Sequence, residues 1–171
     1  YRYVPNDPRL AALRDPEIFP EINRGNYART IYPPAAQAIF FLVTRIGESV
    51  IVMKLAIVGF EAIAVILMLS LLAAAGRPAS WIAVYVWHPL PLWEFAGSGH
   101  IDAAMIVFVT LALWSRRPWL TGLALAGGTL VKLYPAVLLP ALWHRWDWRM
   151  PALFCLALVA SYLPFAGAGT R

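Results

Sequence analysis

Val50-Ile51-Val52-Met53-Lys54-Leu55-Ala56-Ile57-Val58-Gly59-Phe60-Glu61-Ala62-Ile63-Ala64-Val65-Ile66-Leu67-Met68-Leu69-Ser70-Leu71-Leu72-Ala73-Ala74-Ala75 is the stretch that decides the fold class. Twenty-six residues hold only two charges, Lys54 and Glu61, and no proline. About 20 apolar residues at 1.5 Å each cross the hydrocarbon core of a bilayer, so this segment is long enough to span. Gly76-Arg77-Pro78 follows, pairing a helix stop with a positive charge.

The rest of the chain follows the same plan. It is 61% hydrophobic and 13% charged with a mean hydropathy of +0.65, outside the usual range of water-soluble domains. Its net charge of +5 does not indicate nucleic acid as a partner, because the arginines punctuate apolar runs instead of gathering on one face. Cys155, the only cysteine, has no disulfide partner in the chain. The expected class is therefore an all-α integral membrane protein, a multi-spanning helix bundle.

Residues 1–32 are polar, rich in Pro and Arg, and read as an extramembrane loop; residues 33–171 read as the transmembrane bundle. Pro33 and Pro34 suit the first turn of a helix that is too short to cross and ends near Gly47-Glu48-Ser49. It is expected to be interfacial or re-entrant. By the positive-inside rule, Arg77, the Ser115-Arg116-Arg117-Pro118 turn and the His144–Arg149 turn are cytoplasmic. Residues 79–93 then return outward, Glu94–Asp102 forms an outer turn and Ala103–Trp114 comes back. The 119–143 stretch is interrupted by Lys132 and Pro135, and a broken pair of arms with Lys132 at the outer apex fits the charge pattern better than one span. The last run, Pro151–Phe165, heads outward. This topology puts residues 1–32 on the extracytoplasmic side. Eight tryptophans at the segment ends fit interfacial belts.

Chemistry is expected at four places. Trp93-Glu94-Phe95-Ala96-Gly97-Ser98-Gly99-His100-Ile101-Asp102 gathers two carboxylates and an imidazole in one turn, as acid or base catalysis requires. Helix capping would account for Asp102 alone, not for all three. Lys132, set among apolar residues before Leu133-Tyr134-Pro135, needs a compensating anion or an interfacial position, and a lipid phosphate would supply the anion. Glu61 is an intramembrane carboxylate, for which packing against a polar group on another helix is the plain account. In the loop, Arg2, Tyr3, Arg9, Arg14 and Tyr32 offer guanidinium groups and rings suited to phosphates and sugars. His100 and Asp102, two apart and without a second such pair, make a weak metal site, and no cofactor is assigned.

Taken together, Tyr1-Arg2-Tyr3-Val4-Pro5-Asn6-Asp7-Pro8-Arg9-Leu10, Leu13-Arg14-Asp15, Ile22-Asn23-Arg24 and Ile31-Tyr32-Pro33-Pro34-Ala35-Ala36-Gln37 carry a likeness, continued in order by Gly99-His100-Ile101-Asp102-Ala103 and Lys132-Leu133-Tyr134-Pro135. They resemble bacterial polytopic mannosyltransferase-like proteins of the GT-C glycosyltransferase superfamily. The resemblance implies transfer of a hexose, mannose first, from a polyprenyl-phosphate donor to a lipid-linked or glycan acceptor outside the cytoplasm, with inversion at the anomeric carbon. It implies auxiliary roles for Glu94, His100 and Asp102, and a donor-phosphate role for Lys132 with Tyr134. The superfamily's principal carboxylate follows its first transmembrane helix, which in such relatives would precede Tyr1, so the sequence is expected to be a fragment that is inactive alone. A membrane transporter or lipid flippase is the alternative.

Overall fold

The computed structural model describes residues 1–169, and among these there is no β-strand. Five helices of 13 residues or more carry the architecture: Pro34–Ile46, Val50–Ala74, Asp102–Trp114, Pro118–Val131 and Arg149–Tyr162. The long Val50–Ala74 helix starts at an N-cap, Ser49, whose side chain accepts from the Val52 N–H at 3.2 Å. It stops at Gly76, where φ is +64° and the N–H groups of Gly76 and Arg77 return to Ala73 O and Leu72 O. That pattern of closing bonds satisfies carbonyls the helix would otherwise leave open.

Two segments, Val50–Ala74 and Arg149–Ala168, are long and apolar enough to cross a membrane. Only 11% of the most apolar window of each is buried within the protein, which sets them apart from the core helix of a soluble domain. The Asp102–Trp114 and Pro118–Val131 helices are shorter than the expected crossings. Thirteen or fourteen residues rise about 20 Å, against a core of about 30 Å. The return path over 79–93 also differs from a plain crossing. It is a chain of short turns, Ala79–Ile82, Ala83–Val86 and Pro89–Pro91, broken where His88 precedes Pro89 and disfavours the helical region. The 119–143 stretch is broken as expected. Its helix ends at Val131, Lys132 is extended, and Tyr134–Leu138 forms a 3-10 turn.

The Val50–Ala74 and Asp102–Trp114 helices run parallel, and Pro118–Val131 returns antiparallel, followed by Arg149–Tyr162. One apolar core, with Ala36, Ile57, Phe95, Ile101, Met105 and Val131, lies at the end where Asp102 and Lys132 meet. A second, with Ala112, Leu125, Met150 and Phe154, lies at the end of the Ser115–Arg117 turn. The loop 1–32 and the Gly97–Asp102 turn share the first end.

Close packing at the second core depends on Gly122. A Cβ there would lie 2.4 Å from the Met150 carbonyl oxygen, a backbone atom that cannot turn aside. Gly122→Ala is therefore expected to cost about 3 kcal/mol or more, at the upper end of overpacking penalties. At Gly127 the nearest atoms to such a Cβ belong to the Phe108 side-chain ring, not to backbone, so Gly127→Ala should cost less. Thermal unfolding of the two variants in detergent checks the order.

Candidate active site

The Glu94–Asp102 turn is built by its backbone. Leu92–Gly97 forms a π-helical turn, a form that concentrates at functional sites. The N–H groups of Ser98, Gly99 and His100 then bond to Trp93 O, Phe95 O and Glu94 O at 2.9–3.0 Å. Gly99 adopts φ +73°, and the Lys54 side chain lies against the place a Cβ would occupy. Glycine suits that left-handed position without strain. The His100 N–H bond to Glu94 O brings the two side chains together as well, with His100 Nδ1 2.6 Å from Glu94 Oε2. Nδ1–H donates to the carboxylate, so in the neutral ring Nε2 carries the free lone pair.

Asp102 opens the next helix, but its side chain makes no capping bond. Lys132 Nζ lies 2.7 Å from both of its carboxylate oxygens, and the Tyr134 hydroxyl donates to Oδ1 at 3.1 Å. The capping account of Asp102 is thus replaced by an ion pair across 30 residues. The Lys132 charge is compensated within the protein by Asp102, not left to a lipid phosphate alone. The geometry follows from two helices of nearly equal length, 13 and 14 residues, joined by a tight Ser-Arg-Arg turn. The first residue of one and the residue after the other must end level.

All five residues, Glu94, His100, Asp102, Lys132 and Tyr134, line one cleft of 670 Å³ with apolar walls that include Phe95, Met105 and Ile106. That volume lies within the ~300–1,000 Å³ common for small-molecule sites. Half-exposed side chains, with His100 at 55% and Lys132 at 35%, leave donors and acceptors facing the opening. The apolar walls lower the local dielectric and strengthen what these charges do. Among the described residues no three His, Cys, Asp or Glu side chains cluster as metal ligands.

Two lining residues escaped the sequence reading. His88 accepts the Leu90 N–H on Nδ1 at 3.1 Å, which puts its proton on Nε2 as a donor. Tyr85 lines the cleft and donates its hydroxyl to Glu61 Oε2 at 3.0 Å. The signal for His88 was its place at a proline break; for Tyr85 the sequence holds none, since its partner is 24 residues away. Tyr85 is thus a polar group on another segment that Glu61 meets. Tyr85→Phe leaves that carboxylate without a donor and is expected to lower stability by about 1–3 kcal/mol, measurable as thermal unfolding in detergent.

The loop residues do not reach this cleft. The Arg9 guanidinium bonds to Asp7 at 2.7–2.9 Å and lies 4.0 Å from the Tyr3 ring centre. Those hydrogen bonds from Arg9 hold the Asp7 carboxyl at about 2, below the usual range. Arg14 packs on Phe19 and faces a separate groove of 780 Å³ that also takes in Lys54, Ser98 and Gly99 from behind the turn. Arg2 and Tyr3 border a small hollow near Phe165, and the Tyr32 ring packs edge-on against Phe40.

No curated protein and no solved structure matches the chain. Residues 30–170 match one family model, which takes in the cleft and all five long helices. The chain belongs to glycosyltransferase family 87.

Proposed function

We propose that this protein is a multi-pass membrane glycosyltransferase of GT-C type that transfers a hexose, mannose first, from a polyprenyl-phosphate donor to a lipid-linked or glycan acceptor on the extracytoplasmic face. Family membership sets glycosyl transfer as the reaction class and does not favour the transporter or flippase reading. The observation that carries the site assignment is the cleft, where a histidine–carboxylate pair and a lysine–carboxylate–tyrosine group open on the same space.

In the reaction an acceptor hydroxyl oxygen attacks the anomeric carbon, the bond from that carbon to the phosphate oxygen breaks, and the phosphate leaves with the electron pair. Attack from the face opposite the phosphate inverts the centre. Lys132 and Tyr134 are placed to receive the phosphate oxygens, since an ammonium and a hydroxyl donor both stabilise growing negative charge. Asp102 holds both donors in place beforehand, so little reorganisation is needed when the charge develops. His100 Nε2, oriented by Glu94, positions the acceptor hydroxyl and assists removal of its proton. Arg2, Tyr3, Arg9, Arg14 and Tyr32 belong to the loop above the same end of the bundle, where they take part in holding the extended substrates outside the cleft.

The test is transfer of a radiolabelled sugar from a polyprenyl-phosphate donor by the full-length protein in proteoliposomes. Transfer of label to a lipid or glycan fraction is the expected result. Solute flux without transfer, across the donor series mannose, glucose and arabinose, would return the choice to a transporter.

A further inference from the structure

We propose that the arginine-rich end of the bundle, opposite the cleft, binds the phosphodiester headgroup of an anionic membrane phospholipid between Arg116 and the 143–149 turn. This inference concerns a separate site and does not depend on the role of the cleft. From residue 103 to residue 169 the only carboxylate is Asp147, against Arg116, Arg117, Arg145 and Arg149 at this end. Arg116, His144 and Asp147 border a hollow of 310 Å³ whose apolar wall includes Leu113, Leu142 and Met150. Arg116 is exposed and, among the described residues, has neither an ion-pair nor a side-chain hydrogen-bond partner. Asp147 accepts the Arg149 backbone N–H on Oδ1 at 3.0 Å, and its single charge is outnumbered by the four arginines.

The turn beside this hollow is braced from within. Trp143 Nε1–H donates to Asp147 O at 2.9 Å, the Asp147 N–H returns to His144 O at 3.0 Å, and the Trp143 and Trp148 rings pack with centres 4.8 Å apart. The bracing holds Trp146 at φ +70°, a left-handed backbone unfavourable for a bulky residue. Trp146 is thereby thrust outward, 76% exposed, with the Arg145 guanidinium 5.5 Å from its ring centre. An outward indole beside the Arg145 guanidinium matches the boundary between lipid headgroups and chains. There the ring is half solvated and arginine forks onto phosphate oxygens. The apolar wall and the indole select a lipid over a free phosphate ion, which would use the cations alone.

Native mass spectrometry of the full-length protein in neutral detergent tests this with dioctanoyl-phosphatidylglycerol, dioctanoyl-phosphatidylcholine and glycerol 3-phosphate. The expected result is saturable phosphatidylglycerol binding at least ~10-fold tighter than phosphatidylcholine, from two surface cations. Arg116→Gln should weaken it at least ~5-fold, leaving sugar transfer and lipid-free unfolding temperature unchanged. Three results overturn the site: equal binding of the two lipids, wild-type binding by Arg116→Gln, or glycerol 3-phosphate binding as tight as phosphatidylglycerol. If Arg116→Gln fails to accumulate, Trp146→Gly decides. Glycine relieves the backbone there, so weaker phosphatidylglycerol binding supports the site and wild-type binding overturns it.

Discussion

Asp102→Asn is expected to cut sugar transfer at least ~100-fold, about 2.7 kcal/mol of transition-state stabilisation. Lys132 Nζ sits 2.7 Å from both carboxylate oxygens, and Tyr134 shares one of them. Asparagine offers one neutral carbonyl and a competing NH₂ donor, so the ammonium loses its anchor and the hydroxyl its charged acceptor. Part of the effect could arise through folding. Breaking a buried ion pair costs roughly 3–5 kcal/mol, but these side chains are 35% and 19% exposed, so solvent screening reduces the expected cost to about 1–2 kcal/mol. The loss of turnover should therefore exceed the loss of folded protein. If Asp102 acts through Lys132, the Asp102→Asn and Lys132→Met effects are strongly non-additive, and the double variant is little worse than either alone. Independent roles would instead multiply the two losses.

His100→Ala is expected to lower turnover by a similar ~100-fold, the range of a positioned proton-transfer group. Nδ1 is 2.6 Å from Glu94, which fixes the ring and leaves Nε2 free, the atom proposed to meet the acceptor hydroxyl. Glu94→Gln keeps a carbonyl acceptor in the same place and should lose much less than His100→Ala. A smaller effect of His100→Ala than of Glu94→Gln would show that Glu94 acts directly and that the histidine only holds it. Because the His100 side chain is more than half exposed, its removal should leave unfolding temperature nearly unchanged, which separates this prediction from the Asp102 one.

The parts of the fold that could be read from sequence are those fixed locally. Val50–Ala74 is an uninterrupted apolar run closed by Gly76, and its ends fall where the composition changes. Lys132 before Tyr134-Pro135 marks a break because an ammonium and a proline both oppose continuing the helix, and the helix ends one residue earlier. The cluster at 94–102 could be read because nine consecutive residues hold it. The 79–97 path could not, since its apolar composition suits a span while its backbone is set by His88-Pro89-Leu90-Pro91 and by packing against the long helix. Partners also lay beyond reach of spacing. Nothing in the chain order says that Lys132 meets Asp102 or that Glu61 meets Tyr85; the first pair follows from two helices of nearly equal length ending level, the second from the 79–97 path packing against the long helix. The partners of the loop arginines were hidden in the same way. Arg9 looks available in sequence, yet its charge is taken up two residues away by Asp7.

The central claim is that glycosyl transfer takes place in the cleft between the 94–102 turn and Lys132. Its most direct test is turnover of a radiolabelled polyprenyl-phosphate sugar by the full-length protein carrying His100→Ala or Asp102→Asn, assayed beside wild type at matched amounts of folded protein. Losses of at least ~100-fold in each are the predicted result. Near-normal turnover in both would contradict it.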